Sequence, residues 1–213
     1  MLLDLRGHGL SQPTASPVTG PLLVEDIEAL IATLGLDRPI LAGHSLGGNL
    51  AQALVRRAPD GYRGLIVLDS TWNTGPLSGF ERFLLRLAAP SLALIPARSL
   101  PGVMAKASAV TPFARADVER AFRQLSKPDF LQVWRATVSF VEPDPEYRTP
   151  VPLLLVRGAE DKTGNIATAM PAWARADSVT EHVVPGAGHI VTQDAPAAVD
   201  SILLQFVQQT GLR

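Results

Sequence analysis

Residues 40–50 read Ile-Leu-Ala-Gly-His-Ser-Leu-Gly-Gly-Asn-Leu. Within them, Gly43-His44-Ser45-Leu46-Gly47 matches the pattern G-x-S-x-G. A short apolar run at residues 39–42 precedes it, and residues 49–57 read as a helix. The spacing has a physical cause. A chain that turns sharply from strand to helix pushes the residue at the apex outward and strains its backbone. The turn also brings neighbouring backbone close, so the positions two before and two after the serine are expected to leave little room for a Cβ. The helix start then aims its free N–H groups and positive dipole at the serine oxygen. A glycine-rich turn without chemistry satisfies the five-residue pattern alone; the strand before it and the helix after it favour an exposed nucleophile at Ser45.

Outward from this stretch, two patterns alternate. Leu23, Ile27, Leu30, Ile31 and Leu34 recur at helical spacing. Residues 65–68 and 152–156 are short apolar runs that predict strands, residues 166–176 predict a helix, and 180–184 read as extended. Val199, Ile202, Leu203, Phe206 and Val207 predict a final amphipathic helix with Pro196 near its first turn. Continuous apolar strands alternating with helices imply an α/β fold, a mostly parallel sheet covered on both faces. Between residues 71 and 140 the rhythm changes to helical patterns alone, joined by linkers rich in Pro, Gly and Ser. The chain therefore divides into a first core part (1–70), a helical insertion (71–148) and a second core part (149–213).

Composition narrows the function classes. The 213 residues are 46% hydrophobic and 18% charged, as in a globular domain rather than a disordered chain. A net charge of -1 provides no basic field for nucleic acid or anionic lipid. With no cysteine there is no disulfide, no cysteine-ligated metal and no thiol nucleophile. No apolar run reaches the roughly 18 residues of a membrane span. Asp4 and Arg6 interrupt any signal-peptide pattern, so a cytoplasmic location is expected.

A serine hydroxyl needs a base, and the base needs an orienting group. Four histidines are available. His44 lies inside the turn, His8 in a loop, and His182 in a short strand. His189 follows Pro185-Gly186-Ala187-Gly188 at the C-terminal end of that strand, where catalytic groups of parallel sheets collect. For the acid, Asp161 follows the strand at 152–156. Asp69 follows the strand at 65–68 and is the alternative on the same ground.

The order Ser45, Asp161, His189 resembles the α/β-hydrolase superfamily. Further segments carry the likeness: Gly43-His44-Ser45-Leu46-Gly47-Gly48 resembles the family's nucleophile elbow, Gly158-Ala159-Glu160-Asp161 its acid loop, and Gly186-Ala187-Gly188-His189 its histidine loop. Asp4-Leu5-Arg6-Gly7-His8-Gly9-Leu10-Ser11 resembles the segment after the fourth family strand. The resemblance implies a serine hydrolase, carboxylesterase-like, acting on a small acyl substrate through an acyl-enzyme, with the Leu46 N–H as an oxyanion donor and 71–148 as a helical cap. It implies no metal and no organic cofactor. The cap predicts an apolar acyl pocket, with His44, Trp72, Phe80, Phe83 and Trp134 as candidate lining residues. The same family contains cofactor-free perhydrolases and carbon–carbon hydrolases, and a non-catalytic binding module or inactive fragment of the fold is a further alternative. Family members carry three strands and a helix ahead of the Asp4 segment. An N-terminally truncated fold is therefore expected here, with an exposed edge on the strand feeding Ser45 and without the loop that supplies a second oxyanion N–H.

Overall fold

A computed structural model of the protein describes residues 1–211, apart from the side chains of residues 84 and 86. Four strands, β1 (Ile40–His44), β2 (Gly64–Leu68), β3 (Leu153–Gly158) and β4 (Glu181–Val184), form one parallel sheet in the order β1-β2-β3-β4. The two central strands, β2 and β3, are buried on both faces. Leu65, Val67, Leu153 and Leu155 enter one apolar layer, while Ile66, Leu68, Leu154 and Val156 enter the opposite one. This is the period-two alternation of a sheet buried on both sides.

Helices α1 (Gly20–Thr33), α2 (Leu46–Arg57) and α7 (Ile166–Ala176) cover the first face through Leu23, Ile27, Leu50, Leu54, Met170 and Trp173. The short α8 (Val191–Asp194) and α9 (Pro196–Gln209) cover the second through Val191 and Val199. A fully buried Val, Leu or Ile contributes about 1.5–3 kcal/mol, so these layers are the main source of stability.

Two strands run further than their apolar runs. Gly43 and His44 still pair with Val67 and Leu68 before the chain turns at Ser45, and β3 continues to Gly158, which pairs with Val184. Backbone pairing, not side-chain hydropathy, ends these strands. β1 forms one edge of the sheet, with Ala42 exposed, and residues 1–5 form no strand beside it. Arg6 ties this N-terminal segment to α1 through a two-point ion pair with Asp26.

Between β2 and β3 lie α3 (Gly79–Leu94), α4 (Leu100–Ser108), α5 (Pro112–Phe122) and α6 (Lys127–Ser139). The Ser- and Pro-rich linkers are their start signals. Ser78, Thr111 and Ser126 cap α3, α5 and α6 with their hydroxyls, and Pro101, Pro112 and Pro128 occupy first turns. α6 packs on the core through Ala136, with Phe140 just beyond it, whereas α4 and α5 form a small cluster of their own against Ile190. Among the described residues no helix is long and apolar enough to cross a membrane.

Candidate active site

Ser45 stands at the apex between β1 and α2 with φ 51° and ψ -118°, a conformation that side-chain-bearing residues rarely adopt. Its backbone is fixed on both sides. The N–H donates to Leu68 O (3.0 Å), and the carbonyl accepts from Asn49 N–H (3.1 Å) and Ser70 Oγ (2.8 Å). A Cβ on Gly43 would lie 2.1 Å from Gly47 O, so that glycine is required by close approach. The matching expectation for Gly47 does not hold: a Cβ there would meet nothing within 4 Å. The crowded glycine after the serine is Gly48, whose Cβ would sit 2.6 Å from Ser70 Cβ, because that residue faces the end of β2. Leu46 opens α2, so its N–H is one of the four that a helix start leaves without an intrahelical acceptor.

His189 reaches the serine from the loop after β4. Its Nε2 lies 3.0 Å from Ser45 Oγ and its Nδ1 lies 3.1 Å from Asp161 Oδ2. His189 and Asp161 are both buried, and Asp161 Oδ1 accepts the Thr163 N–H at 2.8 Å. The two loops interlock through backbone. Ala159 N–H donates to Val184 O and Glu160 N–H to Ala187 O, and a Cβ on Gly158 would strike Gly188 O at 2.1 Å. Burial works to raise the Asp161 carboxyl, but the hydrogen bond and charge of His189 and the Thr163 contact outweigh it, leaving Asp161 below the usual carboxylate range.

Asp69 lies at the end of β2, fully buried, with φ 41° and Oδ1 accepting the Gly158 N–H at 2.8 Å. One oxygen each of Asp69 and Asp161 and a ring nitrogen of His189 lie within 4.8 Å of one another, the one metal-like cluster among the described residues. Both His189 nitrogens face Ser45 and Asp161, and Asp69 Oδ1 faces Gly158, while Asp69 Oδ2 is buried without a hydrogen-bond partner. His44 braces the site from behind. Its Nε2–H donates to the His189 carbonyl at 2.6 Å, the two rings stand 4.8 Å apart, and desolvation, with the neighbouring His189, lowers its pKa to about 4, so it stays neutral.

The remaining candidates lie in different surroundings. Trp72 is buried in the first core layer, stacked on Trp173 at 6.2 Å. Phe80 and Phe83 lie on α3 at 68% and 56% exposure. Trp134 lines an open groove of about 440 Å³ between α3 and α6, its indole N–H buried without a partner. A second cavity of about 440 Å³, lined by Gln52, Asn73 and Trp173, lies beside α2 and does not include Ser45. His8 bonds the Arg6 carbonyl, and His182 lies in β4.

Sequence reasoning missed Asp194. Its carboxylate accepts N–H groups from Gly188 (2.9 Å), Val110 (2.9 Å) and Thr111 (2.8 Å), joining the His189 loop to the junction of α4 and α5. Burial opposes its charge, but those N–H donors outweigh burial and hold it below the usual range. A lone aspartate between Gln193 and Ala195 carries no local signal for such a role.

Comparison with known proteins agrees with this architecture. The model of the alpha/beta hydrolase family matches residues 1–201. The 2-(acetamidomethylene)succinate hydrolase of Mesorhizobium japonicum is 28% identical over 218 residues, covering 96% of this chain and 77% of that protein. The sn-1-specific diacylglycerol lipase ABHD11 of Mus musculus is 28% identical over 219 residues, covering 92% and 67%. A thermophilic esterase from Thermogutta terrifontis superposes with a TM-score of 0.74 at 25% identity, covering 97% of this chain and 78% of that one. With a strained serine between strand and helix, a histidine within reach of it and a family match over nearly its whole length, the chain belongs to the α/β-hydrolase family.

Proposed function

We propose that the protein is a serine hydrolase that cleaves a carboxylic ester or related acyl compound, with Ser45 as nucleophile, His189 as base and Asp161 as the orienting acid. One observation carries the proposal: the continuous chain from Ser45 Oγ to His189 Nε2 (3.0 Å) and from His189 Nδ1 to Asp161 Oδ2 (3.1 Å). An imidazole that donates from Nδ1 to a carboxylate presents a bare Nε2 lone pair to the hydroxyl. Ser45 Oγ attacks the substrate carbonyl as its proton passes to Nε2, and Asp161 stabilises the imidazolium. The Leu46 N–H and the start of α2 receive the developing oxyanion. The imidazolium then protonates the leaving group. Water, deprotonated by the same Nε2, releases the acyl group from Ser45.

The hydrolase, lipase and esterase among the relatives support acyl transfer as the reaction class, and their different substrates leave the acyl group open. Residues 71–148 act as the cap in this reading. A fluorophosphonate probe tests it. Wild type is expected to be labelled on Ser45 and to hydrolyse short p-nitrophenyl esters, and Ser45→Ala to do neither. Labelling or turnover retained in folded Ser45→Ala would reject the assignment. Unlabelled wild type would point to the non-catalytic alternative.

A further inference from the structure

Two carboxyl groups meet beneath His189: one oxygen of Asp69, one of Asp161 and a ring nitrogen of His189 lie within 4.8 Å of one another. Asp69 is fully buried, and the charge acting on it is that of Asp161. His189 is engaged through both nitrogens, and His44 behind it is neutral. Two buried like charges this close are costly enough that one group takes up a proton. Counting donors says which. Asp161 has a donor on each oxygen, Thr163 N–H on Oδ1 and His189 Nδ1–H on Oδ2. Asp69 has Gly158 N–H on Oδ1, while Oδ2 is buried without a hydrogen-bond partner. A bare buried acceptor beside another acceptor is unfavourable, but the same oxygen carrying a proton is a donor facing an acceptor. The electrostatics run the same way. Burial raises the Asp69 carboxyl to about 8, with Asp161 adding to the rise through charge and a carboxyl–carboxyl hydrogen bond, against the Gly158 and Val191 N–H groups.

We propose that Asp69 is a neutral carboxylic acid whose Oδ2–H donates to the Asp161 carboxylate, making it a positioning residue for the His189–Asp161 pair. The inference rests on Asp161 being the orienting acid. The two strand ends then carry one negative charge at neutral pH. Asp161 is held by a third hydrogen bond and cannot rotate away from His189. Above pH 8 the proton is lost, the two carboxylates repel, and Asp161 loses that support.

Infrared difference spectroscopy between pH 6 and pH 10 reads the proton directly, alongside ester kinetics on the same proteins. A protonated-carboxyl C=O band is expected in wild type at pH 6, fading with a midpoint near 8, equally present in Ser45→Ala and missing from Asp69→Asn. Asp69→Leu, of similar shape but without a donor, is expected to lose about ten- to a hundredfold in kcat with KM little changed, and Asp69→Asn, whose amide N–H replaces the donor, to restore activity to within about threefold of wild type at pH 7. Wild-type rates should fall through pH 8, and Asp69→Asn rates should not. Absence of the band, or its persistence in Asp69→Asn, overturns the proposal. So does a dead Asp69→Asn beside an active Asp161→Asn, which would exchange the roles of the two acids. If Ser45→Ala leaves ester turnover unchanged, the hydrolase reading fails on its own, and the band still decides where the proton sits.

Discussion

The strand ends and the helical segment between β2 and β3 are held together by different kinds of contact. At the strand ends, side chains find partners far along the chain: His189 with Ser45 and Asp161, His44 with the His189 carbonyl, Asp69 with Gly158, Ser70 with Ser45. In the inserted helices the ion pairs are mostly local, Asp117 with Arg120 and Glu119 with Arg123, one helical turn apart. Local pairs on an exposed helix contribute a few tenths of a kcal/mol, whereas a buried group stripped of its partner costs several times that. Geometry is therefore rigidly specified at the strand ends and loosely in the insertion, and mutational sensitivity should divide along the same line.

The largest effects belong to the strand ends. Ser45→Ala should lower kcat by about 10⁶, and Asp161→Asn by about 10⁴, because the amide reverses the tautomer that His189 must present. Steady-state rates on a p-nitrophenyl ester, with circular dichroism to confirm folding, check both. An Asp161→Asn variant within tenfold of wild type would mean that the interlocked loops do not serve orientation.

The same division explains what the sequence made legible. The elbow could be read because Gly43 answers to a close backbone approach, Gly48 to the Ser70 side chain and Ser45 to a strained turn, and these leave a local pattern. The sheet could be read because both faces of β2 and β3 are buried, so each run is apolar throughout. The choice between Asp69 and Asp161 rested on the family resemblance alone, since both follow a strand; in the structure it is Asp161 that meets His189 Nδ1. The surroundings of the acyl-pocket candidates were not legible, because aromatic residues look alike in sequence whether they face the core, as Trp72 does, or solvent, as Phe80 does.

Acid titration gives the next effect. His44 keeps a pKa of about 4 in the fold against about 6.5 when unfolded, so the unfolded chain takes up its proton first. The stability this contributes is present above pH 6.5 and is lost as pH falls from 6.5 to 4, a change of about 2–3 kcal/mol. Asp161, held below its ordinary range, removes further stability at still lower pH. Asp69, raised to about 8 in the fold, gains stability in both proteins as pH falls, so the His44 contribution is read as a difference: in urea titrations, wild type should lose stability relative to His44→Gln as pH falls from 6.5 to 4. Parallel curves would mean that the His44 ring is protonated in the fold.

Asp194 crosses the line between the two regions and should show an intermediate effect. Asp194→Ala frees the Gly188, Val110 and Thr111 N–H groups together, loosening the loop that carries His189. Small misplacements of a catalytic group cost up to about a hundredfold, so a loss of about ten- to a hundredfold in kcat is expected, with lower melting temperature. Asp194→Asn keeps an acceptor oxygen and should lose less. Equal, near-wild-type rates in both would confine Asp194 to joining α8 with the α4–α5 junction.

The smallest effect is expected at the outer face of α3. Phe80 and Phe83 are mostly exposed, so replacing both with serine removes little buried apolar area from the folded state. Surface changes of this kind usually stay within about 0.5 kcal/mol. The capping box at Ser78 and Glu81, which starts the helix, is untouched. Phe80→Ser with Phe83→Ser should therefore leave the melting temperature nearly unchanged and kcat/KM on short esters within about twofold. The informative comparison is between short and long acyl chains. If the double variant keeps its rate on both, α3 contributes no wall to the acyl site, and the contrast between a tightly specified sheet end and a permissive insertion holds. A tenfold loss confined to long-chain esters would break that contrast, because these rings would then meet the acyl chain from the solvent side and the insertion would belong to the site.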